Sequence, residues 1–224
     1  MHFRNAQKGQ TSCRKFVRLM IRRSRTIIGK RCLLNTPSHA AASLLFWRGE
    51  KGWLPMSVIV FGAFLPDLPM FGFYAYQKLL AQRTEQEIWS TLYFQPEWQL
   101  LFDTVNSIPI AILLILVFRV FGLRWGVLLC GSALIHMLCD LPVHHDDAHR
   151  HFLPFSNWRF ESPVSYWDRN HHGAWFASCE LLFTVTATCA VAWKSSSTPM
   201  RIAAAATLVM FAIGSGFALI FFGH

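Results

Sequence analysis

A chain of 224 residues with 53% apolar side chains, 20 Phe and 9 Trp among them, carries more apolar surface than a water-soluble core of this size needs, which points to lipid as its solvent. The formal charge of +9 suggests nucleic acid until it is divided along the chain: Met1 to Arg31 hold ten Lys/Arg and no Asp/Glu, leaving eleven against twelve, a net of −1, for the remainder. The basicity belongs to a tail, and the body reads as a polytopic membrane protein.

Residues 1–34 are therefore expected to be a basic, disordered cytoplasmic tail, drawn to an anionic membrane surface through Arg22, Arg23 and Arg25. A nucleic-acid arm is the weaker reading, because the aromatic interleaving of such surfaces is missing. A targeting peptide is a third, since Arg-rich, acid-free segments serve that role. The six cysteines form no C-x-x-C pair and read as small packing residues.

In NTPSHAAASLLFW, Thr36 or Ser38 can cap a helix with Pro37 in its first turn and His39 near its start. The polar turn from Arg48 to Gly52 stops that helix after about 16 Å, roughly half a bilayer core. A second apolar run from Trp53 continues until Pro66 and Pro69 bracket Asp67 and break it. Two short antiparallel helices of similar length would bring His39 beside Asp67, a half-site for a metal. Tyr74 to Asp103 mix charges with aromatics and read as amphipathic surface helices.

Ser107 to Phe121 and Arg124 to Leu141 are two apolar helices joined at Gly122, and the second ends on His136 and Asp140, four apart and so on one helical face. Ala174 to Trp193 and Ile202 to Phe222 are the clearest spanning helices; Glu180 is the only acid in either. It is a functional candidate or a group satisfied by a neighbouring helix. The fold expected is all-α: a membrane helix bundle of four spanning helices with an N-terminal re-entrant hairpin, forming one domain over 35–224. With the hairpin re-entrant, His39, Asp67, Asp140 and the loop through His172 all face the side of the basic tail, which the positive-inside rule makes cytoplasmic.

The densest chemistry lies between 136 and 172. Seven histidines fall in these 37 residues, among them His136, His144, His145, His149 and His151, with Asp140, Asp146 and Asp147 interspersed. Imidazole and carboxylate together suit a divalent metal, zinc foremost, with one or two ions. The ligand candidates are His39, Asp67, His136, Asp140, His144, His145, His149 and His151. Asp146 or Asp147 would accept a proton from activated water, and Arg150 and Arg159 would bind an anionic group or developing charge. A site at headgroup level calls for an amphiphilic, lipid-like or small-molecule substrate. No G-x-S-x-G, P-loop or zinc-ribbon pattern is present. A metal carrier, a sensor or a non-catalytic scaffold would use the same ligands without turnover.

TPSHAAAS around His39, GAFLPDLPMF around Asp67, and IHMLCD with HFLPFSNWRF around His136, Asp140 and Pro154 resemble the bacterial inner-membrane proteins of the YdjM type. These are described as membrane-bound, metal-dependent hydrolases distantly similar to zinc-dependent phospholipase C. The resemblance implies His39, Asp67, His136 and Asp140 as site residues and the bacterial inner membrane as location. The family's HR-x-x-THS motif is replaced here by LFDTVNS, with Asn106 where its second histidine would fall. Asp103 or the histidines of HHDDAHRHF are the available substitutes.

Overall fold

The computed structural model describes residues 35–166 and 168–222, so the basic tail lies outside the described residues. Everything described is helix or loop, with no strand. The principal helices are α1 (Asn35–Phe46), α2 (Trp53–Phe64), α3 (Leu68–Ala75), α4 (Pro96–Val105), α5 (Ile108–Val120), α6 (Arg124–Asp140), α7 (Gly173–Lys194) and α8 (Thr198–Phe222).

Helix α1 is the axis of the bundle. Its 12 residues are too few to span, and they are rich in Ala and Ser, so its backbone can approach neighbours closely. Ala40, Ala41, Ser43 and Leu44 are each no more than 1% exposed, and α1 packs against α2, α6, α7 and α8. Leu44, Ile59, Leu128, Val191, Met200 and Ala204 from these five helices form one apolar core. Helix α5 packs on the outside of α6. An aromatic cluster of Phe73, Tyr93 and Phe102, with Ile88, ties α3 to α4 through the intervening helical turns.

Two helices are long and apolar enough to cross a membrane by length and composition: Trp53–Leu80, with 28 residues, and Gly173–Lys194, with 22; a third is added if α4 and α5, bent by 41°, count as one span. Among the described residues four spans are not reached, since α5 and α6 have only 13 and 17 residues. The outward faces of α5 and α7 nevertheless expose Leu113, Leu116, Val120, Leu181 and Leu182, the surface of a membrane protein.

The break expected where Pro66 and Pro69 bracket Asp67 is corrected. The chain makes a single 3-10 turn over Leu65–Asp67 and continues helically to Leu80. The physical reason is position: Pro66 and Pro69 each fall in the first turn of a new helical segment, where a missing N–H costs no hydrogen bond. Asn106 Nδ2 donates to the Pro66 carbonyl at 3.3 Å, supplying a partner at the irregular turn. Tyr74 to Asp103 accordingly divides between the end of this long helix, two short helical turns and α4.

Candidate metal centre

Three elements meet at one end of the bundle. Helix α1 offers His39 from its first turns, the 3-10 turn after α2 offers Asp67, and the last turns of α6 offer His136 and Asp140. The i, i+4 spacing places His136 Nε2 2.9 Å from Asp140 Oδ2. His39 Nε2 lies 2.9 Å from Asp140 Oδ1, and the two imidazole rings are 3.9 Å apart. All three residues are buried, His136 completely, and one ligand atom of each lies within 4.8 Å of the others. No other such group of three occurs among the described residues.

The orientation of His136 is fixed. Its Nδ1 lies 2.7 Å from the Ala63 carbonyl, a pure acceptor, so Nδ1 carries the hydrogen and donates. That leaves the Nε2 lone pair facing two carboxylates, Asp140 and, at 3.6 Å, Asp67. Lone pairs cannot face each other in a buried site without a cation or proton between them. A proton on His136 Nε2, with a neutral His39 donating from its own Nε2, answers that need, and so does a metal ion. One divalent ion satisfies His39, His136 and Asp140 together. Ligands on a tetrahedral ion at about 2.0–2.1 Å stand about 3.3 Å apart, a spacing comparable with the separations within this group, which lies within 4.8 Å.

Around this group lies a shell the sequence hinted at unevenly. Thr36 Oγ1 donates to Asp67 Oδ2 at 2.5 Å, and Ser38 Oγ donates to Glu180 Oε1 at 2.6 Å. Both donors flank His39, in the TPSH stretch, and lock α1 to α2 and α7. Glu180 is thus satisfied from a neighbouring helix, one residue from a ligand candidate. His144 Nε2 lies 3.5 Å from Asp140 Oδ1, and its Nδ1 is 3.2 Å from Asp147 Oδ2. Burial works against charge on this imidazole, but the Asp147 and Asp140 carboxylates outweigh it and hold its pKa well above the ordinary value.

The remaining candidates go elsewhere. His145 Nδ1 lies 2.7 Å from the Ser162 carbonyl, and its ring stacks on His171 at 3.8 Å, itself bound to Asp168. His151 Nδ1 is 2.9 Å from the Asn106 carbonyl. His149, Arg150 and Arg159 converge on Asp103. The expectation that both arginines point at a substrate beside the metal ligands is therefore modified: a buried carboxylate engages them first. Asp146 contributes no ligand atom to the three-residue group.

The loop between α6 and α7 has little regular structure, yet backbone bonds pin it. Ser162 N–H donates to the His144 carbonyl at 2.9 Å and Tyr166 N–H to Val143 at 2.9 Å; Ile108 N–H, at the start of α5, donates to His151 at 2.9 Å.

No family model, curated protein or solved structure matches the chain. The reading of the site rests on its own geometry.

Proposed function

We propose that the protein is a membrane-embedded, metal-dependent hydrolase of ester or phosphoester substrates with an amphiphilic body. The observation that carries the reading is the buried group of His39, His136 and Asp140. Two imidazoles and one carboxylate make three protein ligands and leave a fourth position open, as catalytic zinc sites do. The resemblance of the motifs around these residues to the YdjM-type family points the same way, and with the basic tail it favours a bacterial inner membrane with the site on the cytoplasmic side.

A divalent cation, zinc on the donor set, supplies Lewis acidity and eases deprotonation of water. The chain's own residues do the rest. Ala63 fixes the His136 tautomer through its carbonyl. Thr36 orients Asp67 so that its second oxygen stays near His136. Asp147 holds His144 with Nε2 turned toward Asp140, and the two carboxylates keep this imidazole protonated, which makes His144 a proton donor to the leaving group and Asp147 its orienting partner.

Elemental analysis of the full chain in mild detergent tests the first half of this reading, and hydrolysis of phosphate and carboxylate esters tests the second. A stoichiometric divalent ion is expected, with turnover lost on chelation. His136→Ala loses both metal and turnover. Asp67→Ala retains more of the metal and loses on the order of 10–100-fold in activity. Activity persisting in both variants, or a metal-free preparation that still turns over, overturns the proposal. Metal binding without any turnover would instead mark a carrier, sensor or scaffold.

A further inference from the structure

A second cluster of charge lies beside the metal centre and is not needed to build it. His144, which reaches Asp140, has its ring 5.7 Å from that of His149, and His149 Nδ1 lies 3.2 Å from Asp103 Oδ1. Asp103 is completely buried. It also accepts the Arg150 backbone N–H at 3.1 Å, Arg150 Nε at 2.5 Å and Arg159 Nη2 at 3.3 Å. Its carboxylate acceptor sites are thereby filled.

Within this network one carboxylate faces two guanidinium groups, an excess of one positive charge. A network built only to satisfy Asp103 would be complete with Arg150 and His149. Arg159 spends only Nη2 on protein, shared between Asp103 and Gln99 Oε1 at 3.2 Å. Its Nε and Nη1, and Nη2 of Arg150, have no partner among the described residues. The side chains remain 33% and 22% exposed, so a ligand can reach them. Asp103 thus acts as a clamp that holds two cationic forks in place with donors to spare.

We propose that Arg150 and Arg159, fixed by Asp103, form an anion subsite that holds a phosphate group of the substrate next to the metal centre. A tetrahedral oxyanion has enough oxygens to engage both forks at once, whereas a planar carboxylate is served by one. The subsite makes the hydrolase reading more specific and rests on it only for the word substrate. The phosphate can belong to a lipid headgroup or to a soluble phosphoester.

The test uses the full chain in mild detergent, stripped of metal by chelation, and calorimetric titration with inorganic phosphate and with dihexanoyl phosphatidic acid. Acetate and dihexanoylglycerol are the controls. Stripped wild type binds both phosphate probes in preference to the controls; a large advantage for the phosphatidic acid identifies a lipid source, and equal binding a soluble one. Arg159→Gln weakens both on the order of tenfold, and Arg159→Lys recovers part of the loss. Asp103 keeps Arg150 and His149 in these variants, so an unchanged melting temperature separates lost binding from lost fold. Unchanged phosphate affinity in Arg159→Gln overturns the subsite, as does wild-type binding that is absent or vanishes on chelation. Phosphate binding of the expected pattern in a chain with no hydrolytic turnover would keep the subsite and overturn the hydrolase.

Discussion

His151 shows how a single side chain couples the site loop to pH. It is 3% exposed; Nδ1 donates to the Asn106 carbonyl, and Nε2 has no hydrogen-bond partner. Burial first, and the neighbouring His149 second, push its pKa down to about 4 from 6.5. Between those values the unfolded chain binds the proton and the folded chain does not. Stability is therefore complete above pH 6.5 and falls as pH drops toward 4, by on the order of 3 kcal/mol. Melting temperatures measured across this window should fall steeply in wild type and less in His151→Gln; equal slopes would assign the effect to other groups. The sequence identified the loop histidines as a set but not their separate fates. His144 and His145 are adjacent, yet one faces Asp140 and the other stacks on His171. Backbone pairing in an irregular loop, such as Ser162 to His144, decides this, and no periodicity encodes it. His136 and Asp140 were legible because helical spacing alone sets them on one face.

The site depends on how closely α2 and α6 approach, because one leads to Asp67 and the other carries His136. Gly62 sits at that crossing, buried. A Cβ there would press into the backbone carbonyl of Leu129 and stand 3.0 Å from Ser132 Cβ. Backbone cannot swing aside as a flexible side chain can, so Gly62→Ala must move the helices apart. Overpacking of this kind costs about 1–3 kcal/mol. Gly62→Ala should lower the melting temperature and weaken metal binding together, measured in the same detergent. A variant with wild-type metal affinity would mean that the centre tolerates the shift. Most helix limits were legible from apolar runs and polar turns, and the structure moves them by a few residues. The turn at Pro66 was misread because proline marks either a break or a helix start, and only the packing of Asn106 and α4 around it decides which.

The two ends of the molecule differ in chemistry. At one end stand His39, Asp67, Asp140, Glu180 and the loop 141–172. At the other, Arg124, at the start of α6, pairs with Glu50 in the turn between α1 and α2. The 17 residues of α6 run about 25 Å between these ends, whereas α1 carries the chain only about 11 Å from His39 to Phe46, so the α1–α2 turn lies within a bilayer core's depth of His39. Helix α7 runs opposite to α6, with Glu180 toward the site end and Lys194 at the far one. His39 and Asp67 at one level, and a hairpin tip about half a bilayer core away, were legible from helix lengths, but the ion pair at that tip was not, because it joins residues 74 apart. If the 22-residue α7 crosses the membrane, Asn157 and Ser196 must face opposite compartments. In a cysteine-free background, Ser196→Cys in intact cells should react with a membrane-impermeant maleimide, and Asn157→Cys only after permeabilisation. The reverse pattern would put the site outside the cytoplasm and leave its geometry untouched. Labelling of both from one side would remove α7 as a span, and with it the membrane-embedded site.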